Sequence, residues 1–217
     1  MEIKGSAVVQ AQRWSWDKIA SGAVCALALF GWVAVQPVVA GDATEAMKGT
    51  IDDVLKIVQD KELQQSPRAE ERRQRLEKAV GDRFDYQEMS RRALGASWKT
   101  LDDKDRQDFV ELFRTLLTNS YASRVEAYSG EGVQYINERT EKDYAEVRTK
   151  VLIGKAEVPL DYRLLNKGVE WRVYDVVVDG VSLVNNYRGQ FSKILRDSSY
   201  ADLVDQLRKK SDKIKAP

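Results

Sequence analysis

Carboxylates, hydroxyls and amines are the side chains this sequence offers for chemistry. Its 217 residues contain no histidine and one cysteine, Cys25. A Ser-His-Asp or Cys-His arrangement and a His/Cys zinc site are therefore excluded. Asp102, Asp103, Asp105 and Asp108 form an acidic cluster that could hold calcium or act as paired carboxylates. The spacing lacks the central glycine of an EF-hand loop. It also opens a helical run, where acidic residues favour the positive end of the dipole. Asp175 stands between Tyr174 and Val176 in a hydrophobic run. Buried there, it needs a partner, and an arginine or the wet face of a sheet would satisfy it without catalysis. The chain carries no phosphate-binding glycine loop and no dinucleotide fingerprint. A histidine-free hydrolase using carboxylates or a Ser-Lys pair is the alternative function, and no spacing supports it.

The aromatic residues are the richer asset. Phe84, Tyr86, Trp98, Phe109, Phe113, Tyr121, Tyr162, Trp171, Tyr174, Tyr187 and Phe191 fall on apolar faces of the predicted elements. Singly, each reads as ordinary core. Together they supply apolar surface that is either a closed core, as in a non-carrier adaptor module, or the wall of a greasy cavity.

Periodicity gives the elements that position them. Met47, Ile51, Val54, Leu55 and Val58 recur at helical spacing over 44–61. Ser66-Pro67 caps and starts a short charged helix that Gly81 stops. Asp85 caps the next, with Glu88 placed as in a capping box, and Gly95 ends it. Thr100 and Asp103 repeat that signature less well. The strongest helix carries Phe109, Leu112, Phe113, Leu116, Leu117, Tyr121, Val125 and Tyr128 as one stripe, which must lie against something apolar. Gly130 and Gly132 break it. From Val133 the period becomes two, clearest over 144–151 and 158–164, with a further strand over 171–178 and turn signals at Gly154-Lys155 and Asn166-Lys167-Gly168. Helices return over about 185–196 and from near Ser198. The reading is α+β: a twisted four-stranded antiparallel sheet covered on one face by several helices.

The N-terminus speaks to location. Arg13 and Lys18 precede an apolar run, Ile19 to Val35, and Val38-x-Ala40 resembles a signal-peptidase site. Residues 1–40 read as a signal peptide and 41–217 as a single exported domain. A retained anchor is the competing reading, but the run falls short of the ~20 residues of a spanning helix. Lipidation at Cys25 is disfavoured by the branched Val24 before it. The basic residues Lys4, Arg13 and Lys18 and the acidic Glu2 and Asp17 lie in 1–40, out of 35 basic and 34 acidic in all, so the remainder is neutral. That disfavours nucleic acid as a partner and a polybasic lipid anchor. The basic run Arg208 to Lys215 reads as a solvated helix end.

Two stretches carry a family resemblance. Arg83-Phe84-Asp85-Tyr86, Ala93-Leu94-Gly95 and Trp98, followed by the aromatic helix ending in Tyr121 and Tyr128, are one. The run from Trp171 to Leu183, with Asn186-Tyr187-Arg188 and Gln190-Phe191, is the other. In content and order they resemble the MlaC family of toluene-tolerance auxiliary proteins. The resemblance implies a monomeric periplasmic carrier of Gram-negative bacteria, not an enzyme. It would shuttle glycerophospholipid between an outer-membrane lipoprotein-porin complex and an inner-membrane ABC transporter complex, maintaining outer-membrane lipid asymmetry. Phospholipid is then cargo, held between sheet and helices, and no cofactor is implied. With such a cargo, the predicted apolar faces make Phe84, Leu94, Trp98, Phe109, Phe113, Leu116 and Tyr121 the expected lipid-binding residues of the helical segments. Val147, Val151, Val158, Leu160, Tyr162, Val173 and Val176 join them from the strands, and Tyr187 and Phe191 from the helix that follows. Val147, Val151, Leu160 and Tyr162 are expected beneath the helix bearing Phe113 and Leu116, with Gly95, Gly130 and Gly132 as hinges.

Overall fold

The computed structural model describes residues 42–128 and 130–215; the signal-peptide reading of 1–40 lies outside them. Helix α1 (Asp42–Gln59) buries Met47, Ile51 and Val58, the stripe its period predicts. Its N-terminus is tied to the sheet. The Glu138 carboxylate accepts from the Thr44 N–H and hydroxyl, both at 2.7 Å. Ser66 and Pro67 do not start the next helix. They form a separate 3-10 turn, Ser66–Arg68, and α2 (Ala69–Gly81) follows it. Arg68, at φ −109° and ψ 10°, interrupts the α conformation between the two. Leu76 is the one buried residue of α2.

Asp85 caps α3 (Tyr86–Leu94), accepting from the Glu88 N–H at 2.9 Å. Glu88 does not complete a capping box. The Asp85 N–H donates to the Val173 carbonyl at 2.8 Å instead, and the Glu88 carboxylate is held by Arg91 and Arg92 at 2.6 and 2.7 Å. Gly95, at φ 59°, ends α3 in the left-handed region where a side chain is disfavoured. Helix α4 (Asp103–Glu126) is capped by Asp102, which accepts from the Asp105 N–H at 2.7 Å, rather than by Thr100. Asp103 pairs with Arg106 and Asp108 with Lys104. The acidic cluster is thus a helix start.

Among the described residues the strands form one five-stranded antiparallel sheet in sequence order. These are β1 (Val133–Glu141), β2 (Tyr144–Ile153), β3 (Ala156–Asn166), β4 (Trp171–Val178) and β5 (Val181–Ser182). The strand beyond the expected four comes from a tight turn. Asp179 and Gly180 take φ 49° and 78°, and the next two residues double back onto Val178 and Val177. Val151 opposes Val158, and Tyr162 lies between Val147 and Val176, so these side chains share the inner face.

Helix α5 (Leu183–Asp197) starts two residues before the expected Asn185 because the Ser182 hydroxyl accepts from the Asn185 N–H at 3.0 Å. Asp175 reinforces this junction. It is 3% exposed and accepts from Ser182 Oγ (2.6 Å), the Val184 N–H (3.0 Å) and Arg163 Nη1 (3.2 Å). Its partners are structural, as a buried carboxylate requires. Helix α6 (Tyr200–Lys215) closes the chain's described part.

Buried apolar side chains gather in two clusters among the described residues. One lies among α3, α4, α5 and α6, centred on Phe109, Phe113, Tyr187 and Phe191. Their rings meet mostly edge to face, Phe113 with Tyr187 at 5.1 Å and with Phe191 at 5.6 Å. The other lies beneath α1 on the inner face of the sheet, around Met47, Val147, Leu164 and Val173.

Candidate functional site

Between these two clusters the molecule is not filled. A cavity of about 380 Å³ lies there, within the ~300–1,000 Å³ of ligand sites. Its floor is one end of the sheet's inner face: Val133 of β1, Val151 and Ile153 of β2, Leu160 and Tyr162 of β3, Val176 and Val178 of β4. Helix α1 contributes Met47, Ile51, Val54 and Leu55 to one wall, and α2 contributes Leu76 and Val80. Phe84, Tyr86 and Met89 close the back, with Leu117, Tyr121, Ala122 and Val125 of α4 opposite. Leu183 of α5 completes the lining.

The same helical and strand periods that build the sealed clusters build this wall. Met47, Met89 and Leu117 are buried in the wall as deeply as in a sealed core, but other wall residues are not. Val54, Leu55, Tyr121, Val125, Val151 and Leu160 sit on apolar faces of their elements yet remain only half-buried. A wall residue has no partner atoms on the side that faces the void.

Of the residues expected to bind lipid, Phe84, Tyr121, Val151, Leu160, Tyr162 and Val176 line the cavity. The others are placed elsewhere. Leu94, Phe109, Phe113, Leu116, Tyr187 and Phe191 are sealed in the helical cluster, with Trp98 packed on its margin. Val147 and Val173 are wholly buried where α1 covers the sheet. Val158 is buried without lining the cavity. The helix over the strands therefore presents Leu117 and Tyr121 to the cavity, not Phe113 and Leu116. The wall from α1 and α2, and Tyr128 at the end of the aromatic stripe, were missing from the expected set. The α1 stripe itself was the available signal: Val54 and Leu55 belong to it.

Polar groups cluster at the lip. Arg73 is held by Glu77 at 3.0 Å and by the Asn119 side chain at 2.6 Å. Arg72 of α2 faces Glu126 of α4 at 3.7 Å. Tyr128 both donates to the Gly132 carbonyl (2.8 Å) and accepts from the Gly132 N–H (2.9 Å). That hairpin of bonds fixes the approach to β1 at Gly132, whose φ is 133°. Burial raises the phenols of Tyr86, Tyr121 and Tyr162 above their usual range. All three are neutral donors at physiological pH. Among the described residues no group of three or more His, Cys, Asp or Glu is arranged to hold a metal ion. Among them, too, no helix is long and apolar enough to cross a membrane.

This architecture has solved relatives. A phospholipid-binding protein of Ralstonia solanacearum, solved in complex with a phospholipid, superimposes with a TM-score of 0.74 at 24% sequence identity. The match covers 81% of this chain and all of that one, and it shows that the two share a fold. The intermembrane phospholipid transport system binding protein MlaC of Haemophilus influenzae is 25% identical over 122 residues. That alignment takes in 54% of this chain and spans 57% of the Haemophilus protein. The family model described as MlaC protein matches residues 48–209. That interval holds α2 to α5, the whole sheet and every residue that lines the cavity except Met47; the chain belongs to the MlaC family.

Proposed function

We propose that this protein is a periplasmic carrier that holds glycerophospholipid by its acyl chains and shuttles it between an outer-membrane lipoprotein-porin complex and an inner-membrane ABC transporter complex. The observation that carries the reading is the cavity: about 380 Å³, walled mainly by aliphatic and aromatic side chains, with Arg73, Glu77, Arg124 and Glu126 as the charged residues of its lining. Each methylene withdrawn from water is worth ~0.8 kcal/mol, so a chain of ~16 carbons costs roughly 13 kcal/mol to leave exposed. A surface groove leaves much of that uncompensated; a cavity between two layers does not. The names of the relatives in this family fit such a cargo.

In this reading residues 1–40 export the chain and are removed, and residues 41–217 act as one domain. The protein exchanges cargo without chemical turnover. Exchange requires the cavity to open along the seam between its two hydrophobic clusters. Helices α2 and α4 meet beside the cavity through Arg72 and Glu126 at 3.7 Å and through Arg73 and Asn119 at 2.6 Å.

Native mass spectrometry of the purified protein tests the reading. Phospholipid is expected to travel with it, and to pass to acceptor vesicles unaltered. A clean unliganded mass after gentle purification contradicts a carrier. Release of lysolipid or free fatty acid makes the protein an enzyme.

A further inference from the structure

The cavity wall is apolar, so the polar end of any cargo must be met at the lip. The charged residues lining it are Arg73, Glu77, Arg124 and Glu126. Three of these are already engaged: Arg73 with Glu77 and Asn119, and Glu126 with Arg72. Arg124 differs. It sits in the last turn of α4, exposed, and among the described residues no carboxylate approaches within the 4.0 Å of an ion pair. Its guanidinium lies over the ring of Tyr121, itself part of the wall, at 5.4 Å. A ring face attracts the cation but accepts none of its N–H donors in the way a carboxylate does.

A second cation of this kind lies nearby. Lys210 of α6 stands over the ring of Tyr187 at 5.7 Å, also without an ion pair among the described residues. Burial raises the Tyr187 phenol, the neighbouring Tyr121 adds to that, and the Arg124 charge opposes it. The cavity wall at Tyr121 therefore carries, on Arg124, a positive charge that no carboxylate among the described residues pairs with. A planar fork with free donors at the edge of an apolar cavity suits the oxygens of a phosphodiester.

We propose that Arg124 docks the phosphate of the bound lipid, so that the cavity selects phosphate-bearing lipids over neutral lipids with the same acyl chains. This rests on the cavity being a lipid site. Acyl burial supplies most of the affinity, and Arg124 supplies the discrimination. A purely structural role, in which Arg124 complements the negative end of the α4 dipole, predicts a change in melting temperature and none in lipid preference.

The test equilibrates the purified protein with phosphatidylcholine vesicles carrying a trace of fluorescent phosphatidylglycerol or of fluorescent diacylglycerol with identical chains. Wild-type protein is expected to take up phosphatidylglycerol about tenfold better, the worth of one charge-assisted hydrogen-bonded contact. Arg124→Gln is expected to abolish the preference while diacylglycerol uptake and far-UV circular dichroism stay as in wild type. Arg124→Lys, which keeps the charge but loses the fork, should restore part of it. A wild-type preference retained in Arg124→Gln overturns the assignment. So does loss of the preference on adding millimolar inorganic phosphate, because the site is then one for free phosphate. Uptake of neither lipid by the wild type is a different failure, that of the carrier reading itself.

Discussion

Leu160 and Val147 lie on the same face of adjacent strands, but the structure gives them different neighbours. Leu160 is half-buried and lines the cavity. Val147 is 0% exposed and packed beneath α1. An aspartate at Leu160 faces a space that water can enter when no lipid is present, so the empty fold can tolerate it. With acyl chains in place the carboxylate must be desolvated or protonated. Protonating a group of reference pKa ~3.9 at pH 7.5 costs about 5 kcal/mol. The unpaired acid left among methylenes adds about 1–3 kcal/mol. Leu160→Asp is therefore expected to weaken lipid binding by more than about a thousandfold while keeping a cooperative melt. At Val147 no water is available, and the same cost falls on folding. It is comparable to the ~5–15 kcal/mol that holds a domain together, so Val147→Asp should not fold. Bound phospholipid by native mass spectrometry, with thermal melts by circular dichroism, reads both. A folded Leu160→Asp with wild-type lipid content refutes the placement of the cavity. A folded Val147→Asp that merely loses lipid refutes the division between sealed core and open wall.

Three other outcomes follow from the same contacts. Asp175→Asn keeps the shape but removes the charge that Arg163 and Ser182 address, and it should cost about 3 kcal/mol in urea denaturation; a loss below about 1 kcal/mol would mean that the β4–α5 junction does not depend on it. Burial raises the Glu138 carboxyl, but the Thr44 hydroxyl and N–H outweigh that and hold it below its usual range. Its contribution is therefore complete above the unfolded value of ~4.3 and is lost as pH falls through the lower folded value. Glu138→Gln should cost about 1 kcal/mol at pH 7, with the gap to wild type closing in melts below about pH 4; a gap independent of pH would exclude the ionised bond. Extracting the lipid should lower the melting temperature by at least several degrees, and an unchanged melt would show that cargo and fold are uncoupled.

Much of this was legible in the residues. The period of Met47, Ile51 and Val58 placed α1, the alternation over 144–164 placed the central strands, and Asp85 marked the start of α3. The cavity wall was only half legible, and α4 shows why. Leu116 and Leu117 are successive residues, about 100° apart around the helix. Both belong to one broad apolar stripe. Leu116 is sealed in the α3–α5–α6 cluster, whereas Leu117, a member of the same cluster, and Tyr121 at its margin also reach the cavity. Hydrophobic period says that a face is covered, but not whether its cover is a side chain or a cargo. The strands carry the same ambiguity lengthwise. Val147 and Val151 share a face and a residue type, and α1 seals the first while the second is left in the wall. The two-residue β5 carries too little pattern to register as a strand. Arg124 could not be singled out either, because being unpaired is a property of where the carboxylates are in space.

The cavity has an energetic consequence for the fold that contains it. When the cavity of about 380 Å³ is empty, its apolar wall lacks partner atoms on one side and faces any water that enters. A chain under selection only to fold would fill such a void with larger side chains. Here the opposite has happened. The positions that line it are mostly aliphatic or tyrosine and sit on well-formed helices and strands, while the helical cluster on one side is packed with Phe109, Phe113 and Phe191 and the sheet cluster on the other with aliphatic side chains. The packing defect is therefore concentrated between the two buried clusters. The two clusters are joined by the Asp85 N–H on the Val173 carbonyl, by Asp175 on Ser182 and the Val184 N–H, and by Phe84, which packs against both. The void makes the acyl chains the missing component of the interior: their methylenes occupy the volume that the protein's own side chains leave, and the free energy of keeping them from water offsets the free energy the void would otherwise cost.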